Sequence, residues 1–135
     1  MGRPQRWPAW EETALKKRLS ACPRTLTAFD IAPDGGLSNR RGFAKGIGPD
    51  GICTDADGAV WTGSGGQGCV RIREGGEVLD RIELDRAPFA LMLGGSDRRT
   101  LFIMTAVWDA ANPFGGRRTG QVVTATAPAL GAGWP

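Results

Sequence analysis

"FDIAPDGGL" (residues 29–37) and "VRIREGGEV" (residues 70–78) are one phrase written twice, 41 positions apart. In each, two apolar residues at alternate positions lead into a turn: Phe29 and Ile31 in the first copy, Val70 and Ile72 in the second. Gly35 falls on Gly76, and the return begins on Leu37 or Val78. Apolar alternation on either side of a glycine turn is the signature of a β-hairpin. A second phrase recurs at nearly the same interval. "DADGAVW" (55–61) matches "GSDRRTLF" (95–102), with Asp57 on Asp97 and Trp61 on Phe102. A repeat of about 40 residues holding four short strands is the habit of a β-propeller blade. Blades bury their faces only against neighbouring blades, which explains why no strand set here could stand alone. A β-sandwich would not require the period.

Working outward, the rest of the chain from Arg24 reads as further short strands. They fall at 25–32, 37–44, 51–55, 59–63, 69–74, 77–84, 88–93, 100–106 and 120–127, with Asp/Gly turns between most of them. The predicted fold is therefore all-β: a partial propeller of about two to three four-stranded blades over 25–135. Residues 1–24 break the pattern. Glu12 and Lys16 have helical i,i+4 spacing beside a loose Trp10–Leu15–Leu19 apolar side, which predicts a short helical or disordered leader.

Composition excludes several function classes. The chain of 135 residues carries 17 bases and 14 acids, a net charge of +3. Six of those bases and two of the acids lie in residues 1–24, so the strand-rich remainder is slightly acidic. A nucleic-acid binder carries its basic surface on the folded module, and none is expected here. No apolar run of about 20 residues is present, and the first residues lack a signal-peptide core, which predicts a cytoplasmic protein with no membrane partner. Histidine is absent altogether, so Ser–His and Cys–His nucleophile pairs are impossible. Acid–base work falls to Asp, Glu, Lys or Cys, and any metal would be held by oxygens. Cys22, Cys53 and Cys69 lack C-x-x-C spacing, which argues against a zinc knuckle or a disulfide framework.

"GIGPDGICTDADGAVWTGSGG" (46–66) holds three candidate aspartates: Asp50, Asp55 and Asp57. Asp50 precedes the strand "GICTD" and Asp57 follows it. At about 3.3 Å per residue their carboxylates stand roughly 20 Å apart, too far to share an ion. An EF-hand is excluded because D-x-D-G here lacks the loop's remaining ligands and its terminal Glu. Asp55 and Asp57 read as turn formers bonding nearby backbone N–H groups. On the residues alone Asp50 also reads as a turn former, since P-D-G is a turn signal anywhere. Trp61 and Phe102 read as packing between blades, and Cys53 as a small buried apolar residue. "GSGGQG" (63–68) lacks a P-loop's Lys-Ser/Thr ending and reads as a flexible inter-strand loop. "WDAANPFGGRRTG" (108–120) is a longer insertion with Arg117 and Arg118 at its tip. Such loops often line one mouth of a propeller's channel, but the role expected of this one is solvation at the surface.

"LTAFDIAPDGGLSNRRGFA", "PDGICTDADGAVW", "CVRIREGGEVLDRIEL", "FALMLGGSDRRTLF" and "GGRRTGQVVTATAPALGAGWP" together resemble the C-terminal part of the gluconolactonase/regucalcin (senescence marker protein)/luciferin-regenerating enzyme family. The resemblance covers residues 24–135. It implies a six-bladed-type propeller that hydrolyses a sugar lactone or related ester with one divalent cation, whether calcium, zinc, magnesium or manganese. It carries over one site residue: Asp50 of Pro49-Asp50-Gly51, as metal ligand and as catalytic general base. The family's other ligands, a glutamate and an asparagine of earlier blades, have no counterpart here. Impaired hydrolysis is therefore expected. The alternative is a catalytically inactive β-module that binds cation weakly or self-associates through exposed blade edges.

Overall fold

The computed structural model describes the backbone of residues 17–22 and the whole of residues 24–113 and 115–133. The described residues contain ten strands: β1 (Lys17–Cys22), β2 (Thr25–Ile31), β3 (Leu37–Lys45), β4 (Ile52–Thr54), β5 (Val60–Gly63), β6 (Gly68–Ile72), β7 (Val78–Glu83), β8 (Ala87–Gly94), β9 (Thr100–Ala106) and β10 (Gln121–Thr126). All pairing between strands is antiparallel and between chain neighbours. The first sheet is β1-β2-β3, the central sheet β4-β5-β6-β7 and the third sheet β8-β9-β10. This is a partial propeller: one complete four-stranded blade between two three-stranded ones. Among the described residues no helix is long and apolar enough to cross a membrane.

The repeat reappears as the same pair of hairpin hydrogen bonds. Ala32 N–H donates to Gly36 O and Gly35 N–H to Ala32 O, at 2.9 and 2.8 Å. Arg73 N–H donates to Glu77 O and Gly76 N–H to Arg73 O, both at 3.0 Å. Gly35 and Gly76 share a left-handed backbone, with φ of 85° and 92°, which no β-carbon opposes.

The leader is corrected in part. Residues 17–22 are a strand rather than a helix or a free segment, and they belong to the first sheet. β1 pairs with β2 at six positions, from Lys17↔Asp30 to Cys22↔Thr25. An i,i+4 ion pair contributes only about 0.2–0.5 kcal/mol to a helix. A hairpin that satisfies a whole strand's backbone outweighs it. The part of the helical reading that falls on residues 1–16 lies outside the described residues.

Two clusters join the three sheets. Leu26, Ala28, Phe43 and Ala44 of the first sheet pack on Val60, Val70 and Ile72 of the central one. On its other face the central sheet offers Cys53, Trp61 and Cys69 to Leu91, Leu101 and Ile103 of the third sheet and to Ala127 after it. Adjacent residues of β5 and β6 therefore point to opposite interfaces, and both strands are buried along their whole length. Residues 127–132 lash the third sheet to the central one. Ala56 N–H donates to Leu130 O at 2.7 Å, and Ala132 N–H to Thr54 O at 3.0 Å. Trp61 thus packs between blades as its sequence position predicted. Phe102, one repeat later, lies half-buried on the far face of the third sheet.

Among the described residues Trp61 is the largest fully buried side chain. Trp61→Ala is expected to lower unfolding stability by about 3–5 kcal/mol. Urea denaturation followed by circular dichroism checks this. A loss below 1 kcal/mol would mean that the central and third sheets do not stack through Trp61.

Candidate functional site

The strands have two ends, and the candidate aspartates are divided between them. β4 begins just after Asp50 and stops just before Asp55. Asp50 therefore belongs to one end of the blades, and Asp55 and Asp57 to the other.

At the second end the chemistry is structural. Asp55 is fully buried, and its Oδ1 accepts from Asp57 N–H and Ala59 N–H, both at 3.0 Å. That is the turn-forming role read from the sequence. Its other oxygen does something the sequence reading missed. Arg71 Nε donates to Asp55 Oδ2 at 2.7 Å, Nη2 to Asp57 at 2.8 Å and Nη1 to Asp80 at 3.2 Å. Burial alone would lower the Arg71 pKa, but these bonds, Asp55's foremost, raise it overall. One buried cation thus ties the turn after β4 to β6 and β7. The available signal was an arginine inside "CVRI", a strand otherwise made of buried residues. Nearby, Arg41 bridges Asp30 of the first sheet and Glu74 of the central one, at 2.8 and 2.6 Å.

At the first end, Asp50 lines a cavity of about 480 Å³ together with Gln67, Asp85, Arg86, Phe89 and Trp108. Its own side chain is exposed. The backbone beside it is held from two directions. Gly51 N–H donates to Phe89 O of β8 at 3.0 Å, and the Thr62 hydroxyl of β5 donates to Gly51 O at 3.1 Å. A β-carbon on Gly51 would lie 2.7 Å from the Ala90 Cα, so the central and third sheets touch here through bare backbone. The glycine of Pro49-Asp50-Gly51 is thus a packing requirement that fixes where Asp50 leaves the sheet.

The loops around the cavity are anchored. "GSGGQG", expected to be flexible, is a tight β5–β6 turn: Ser64 N–H and hydroxyl both donate to Gly68 O, and Gln67 Nε2 donates to Asp85 O. The long 107–120 connection is clasped at its base. Val107 N–H donates to the Thr119 hydroxyl and Arg86 Nη1 to Thr119 O, at 3.1 and 2.9 Å. The Trp108 ring leans on Phe89 with centroids 5.7 Å apart. Arg117 and Arg118 are exposed and line an adjoining cavity of about 680 Å³ that shares Phe89, Val107 and Trp108 with the first.

Among the described residues no three of His, Cys, Asp and Glu converge as a metal centre would require. Neither Cys53 nor Cys69 is poised as a nucleophile. Burial pushes Cys53 up from 9.0 to about 12 and Cys69 up to about 11.

Residues 20–107 match the family described as the SMP-30/Gluconolactonase/LRE-like region. Among solved structures, a luciferin-regenerating enzyme superposes with a TM-score of 0.66 at 18% sequence identity. The match covers 83% of this chain and 41% of that one, so the chain spans less than half the length of the enzyme it resembles.

Gly51→Ala is expected to cost about 1–3 kcal/mol by forcing the two sheets apart. Gly66→Ala, whose β-carbon would meet open space, should stay within about 0.5 kcal/mol of the parent. Equal denaturation midpoints for the two variants would contradict the close approach. The thiols give a pH signature. Below pH 9 both states keep their protons; above it the unfolded chain releases protons that the fold retains, so stability falls as pH rises towards about 11 and 12. In a Cys22→Ser background, iodoacetamide at pH 8 should leave Cys53 and Cys69 unmodified until denaturant is added. Rapid labelling of the folded protein would refute their burial.

Proposed function

Because the chain belongs to the SMP-30/Gluconolactonase/LRE-like family, we propose that its cavity serves hydrolysis of a sugar lactone or related ester, with Asp50 as the reacting carboxylate. The observation that carries this reading is the placement of Asp50 on the cavity rim by two backbone anchors, with no second role to occupy it. A carboxylate there can take a proton from a water molecule. The water oxygen bonds the lactone carbonyl carbon, the ring C–O bond breaks, and the proton passes on to the departing alkoxide. Phe89 and Trp108 offer an apolar wall for the C–H face of a sugar ring, while Gln67 and Arg86 offer hydrogen-bond donors for its hydroxyls.

The resemblance also implies a divalent cation, and Asp50 is the ligand this chain would contribute. A hard cation such as calcium takes about six to eight oxygens. One exposed carboxylate does not meet that demand, so the described residues alone do not fit a resident ion, and no step is assigned to one. This incomplete donor set supports weak cation binding and impaired hydrolysis. It equally favours the second reading, a catalytically inactive module that keeps only the cavity. The two described free thiols, Cys53 and Cys69, suit a reducing, cytoplasmic setting, and neither nucleic acid nor membrane is part of the proposal.

Calorimetric titration with calcium and manganese tests the assignment. Asp50→Asn should abolish whatever binding the parent shows and leave the circular dichroism unchanged, because Asn keeps the size and turn-forming ability of Asp. Binding equal to the parent's would reduce Asp50 to a turn former. Gluconolactone turnover by the parent is expected at least ~10³-fold below a relative with a complete donor set, the scale of losing a preorganised electrostatic site. Turnover near such a relative's rate would show that other residues complete the site.

A further inference from the structure

The two joints inside this chain follow one rule, and the chain carries both halves of a third. At each joint a sheet's forward face, the one turned towards later sheets, is covered by the backward face of the next. Forward Cys53, Trp61 and Cys69 meet backward Leu91, Leu101 and Ile103. Forward Leu26, Ala28 and Phe43 meet backward Val60, Val70 and Ile72.

The third sheet's forward face repeats the central sheet's position by position. Met92 pairs with Phe102 as Cys53 pairs with Trp61. Val122 pairs with Met104 as Cys69 pairs with Gly63. Trp61 is 1% exposed under its cover, whereas Met92, Met104 and Val122 are 41%, 37% and 63% exposed. The first sheet's backward face has the matching half. Leu26 and Ala28 are buried towards the central sheet, so strand alternation turns Phe29 and Ile31 the other way. In the repeat these two stand at the places of Val70 and Ile72, which cover the joint before the central sheet.

We infer that these two faces bind each other between copies of this chain, the forward face of one copy's third sheet stacking on the backward face of another copy's first sheet. The occupant is a second copy because the faces are the two halves of a joint this sequence already makes twice. A contiguous apolar patch is the kind of surface that marks such a contact. The contact is head-to-tail: Met92, Phe102 and Val122 of one copy meet Phe29 and Ile31 of the other, and no face meets itself. This inference is independent of the catalytic reading and survives if Asp50 proves to be a turn former.

The 135-residue chain, sedimented at tens of micromolar, should show a mass of two or more chains. Phe29→Arg and Phe102→Arg should each sediment as single chains while keeping the parent's β-sheet circular dichroism. Mixed in equal amounts, they should form a species of two chains, because one copy's intact Phe29 face then meets the other's intact Phe102 face. Ile31→Lys and Val122→Asp form a second pair for the same mixing test should an arginine variant unfold. A parent that remains a single chain overturns the inference and leaves the faces to some other covering. A Phe29→Arg protein that keeps the parent's mass overturns it in favour of pairing through the Phe102 face alone. A mixture that stays as single chains overturns it outright.

Discussion

Val60 and Trp61 are adjacent in β5, point to opposite faces, and are both fully buried. That two-sided burial is the constraint on which the rest of the structure depends. A sheet that is apolar on both faces gains stability only when other sheets cover both. The first and third sheets do so. Stacking is therefore the organising interaction, and backbone pairing within each sheet is its precondition.

Stacking also dictates what each end of the blades can do. At the Asp55 end, turns must lie close to one another and to the next sheet, and charge is used as mortar. Arg71 fastens three aspartates, Arg41 joins two sheets, and the backbone of residues 127–132 closes the seam. A buried arginine is tolerated there because its donors are met by carboxylates. At the Asp50 end the sheets touch through Gly51 and its neighbours, and the connecting loops stand away from the seam to leave cavities. Asp50 on this side stays exposed and makes no such pairing among the described residues. The split gives the molecule a fastened end and an open one, and the proposed chemistry belongs to the open one.

The same division explains why three aspartates in one 21-residue stretch have unlike roles. Asp55 and Asp57 serve the fold through Arg71, and removing either alters packing before it alters any site. Asp50 makes no such bond, while its neighbour Gly51 is pinned by both β8 and β5. A functional side chain held by its backbone and left free at its tip is a suitable arrangement for a group that must meet a ligand.

The sequence by itself determined the strands from Thr25 onward, the repeat and the turn glycines, because period-two alternation and left-handed turn positions are local properties written residue by residue. It also set Asp50 apart from Asp55 and Asp57, since a strand between them fixes their separation. Tertiary structure alone decided the rest. Residues 17–22 became a strand because β2 offered an edge, an outcome that weak i,i+4 pairing could neither reveal nor prevent. Arg71 found its partners from β7 and from the turn after β4, contacts that sequence spacing does not encode. The glycine of Pro49-Asp50-Gly51 proved to be a point of contact between sheets, and the loop at 63–68 a fastened turn. Each of these depends on which strands lie side by side, and that is settled when the faces stack.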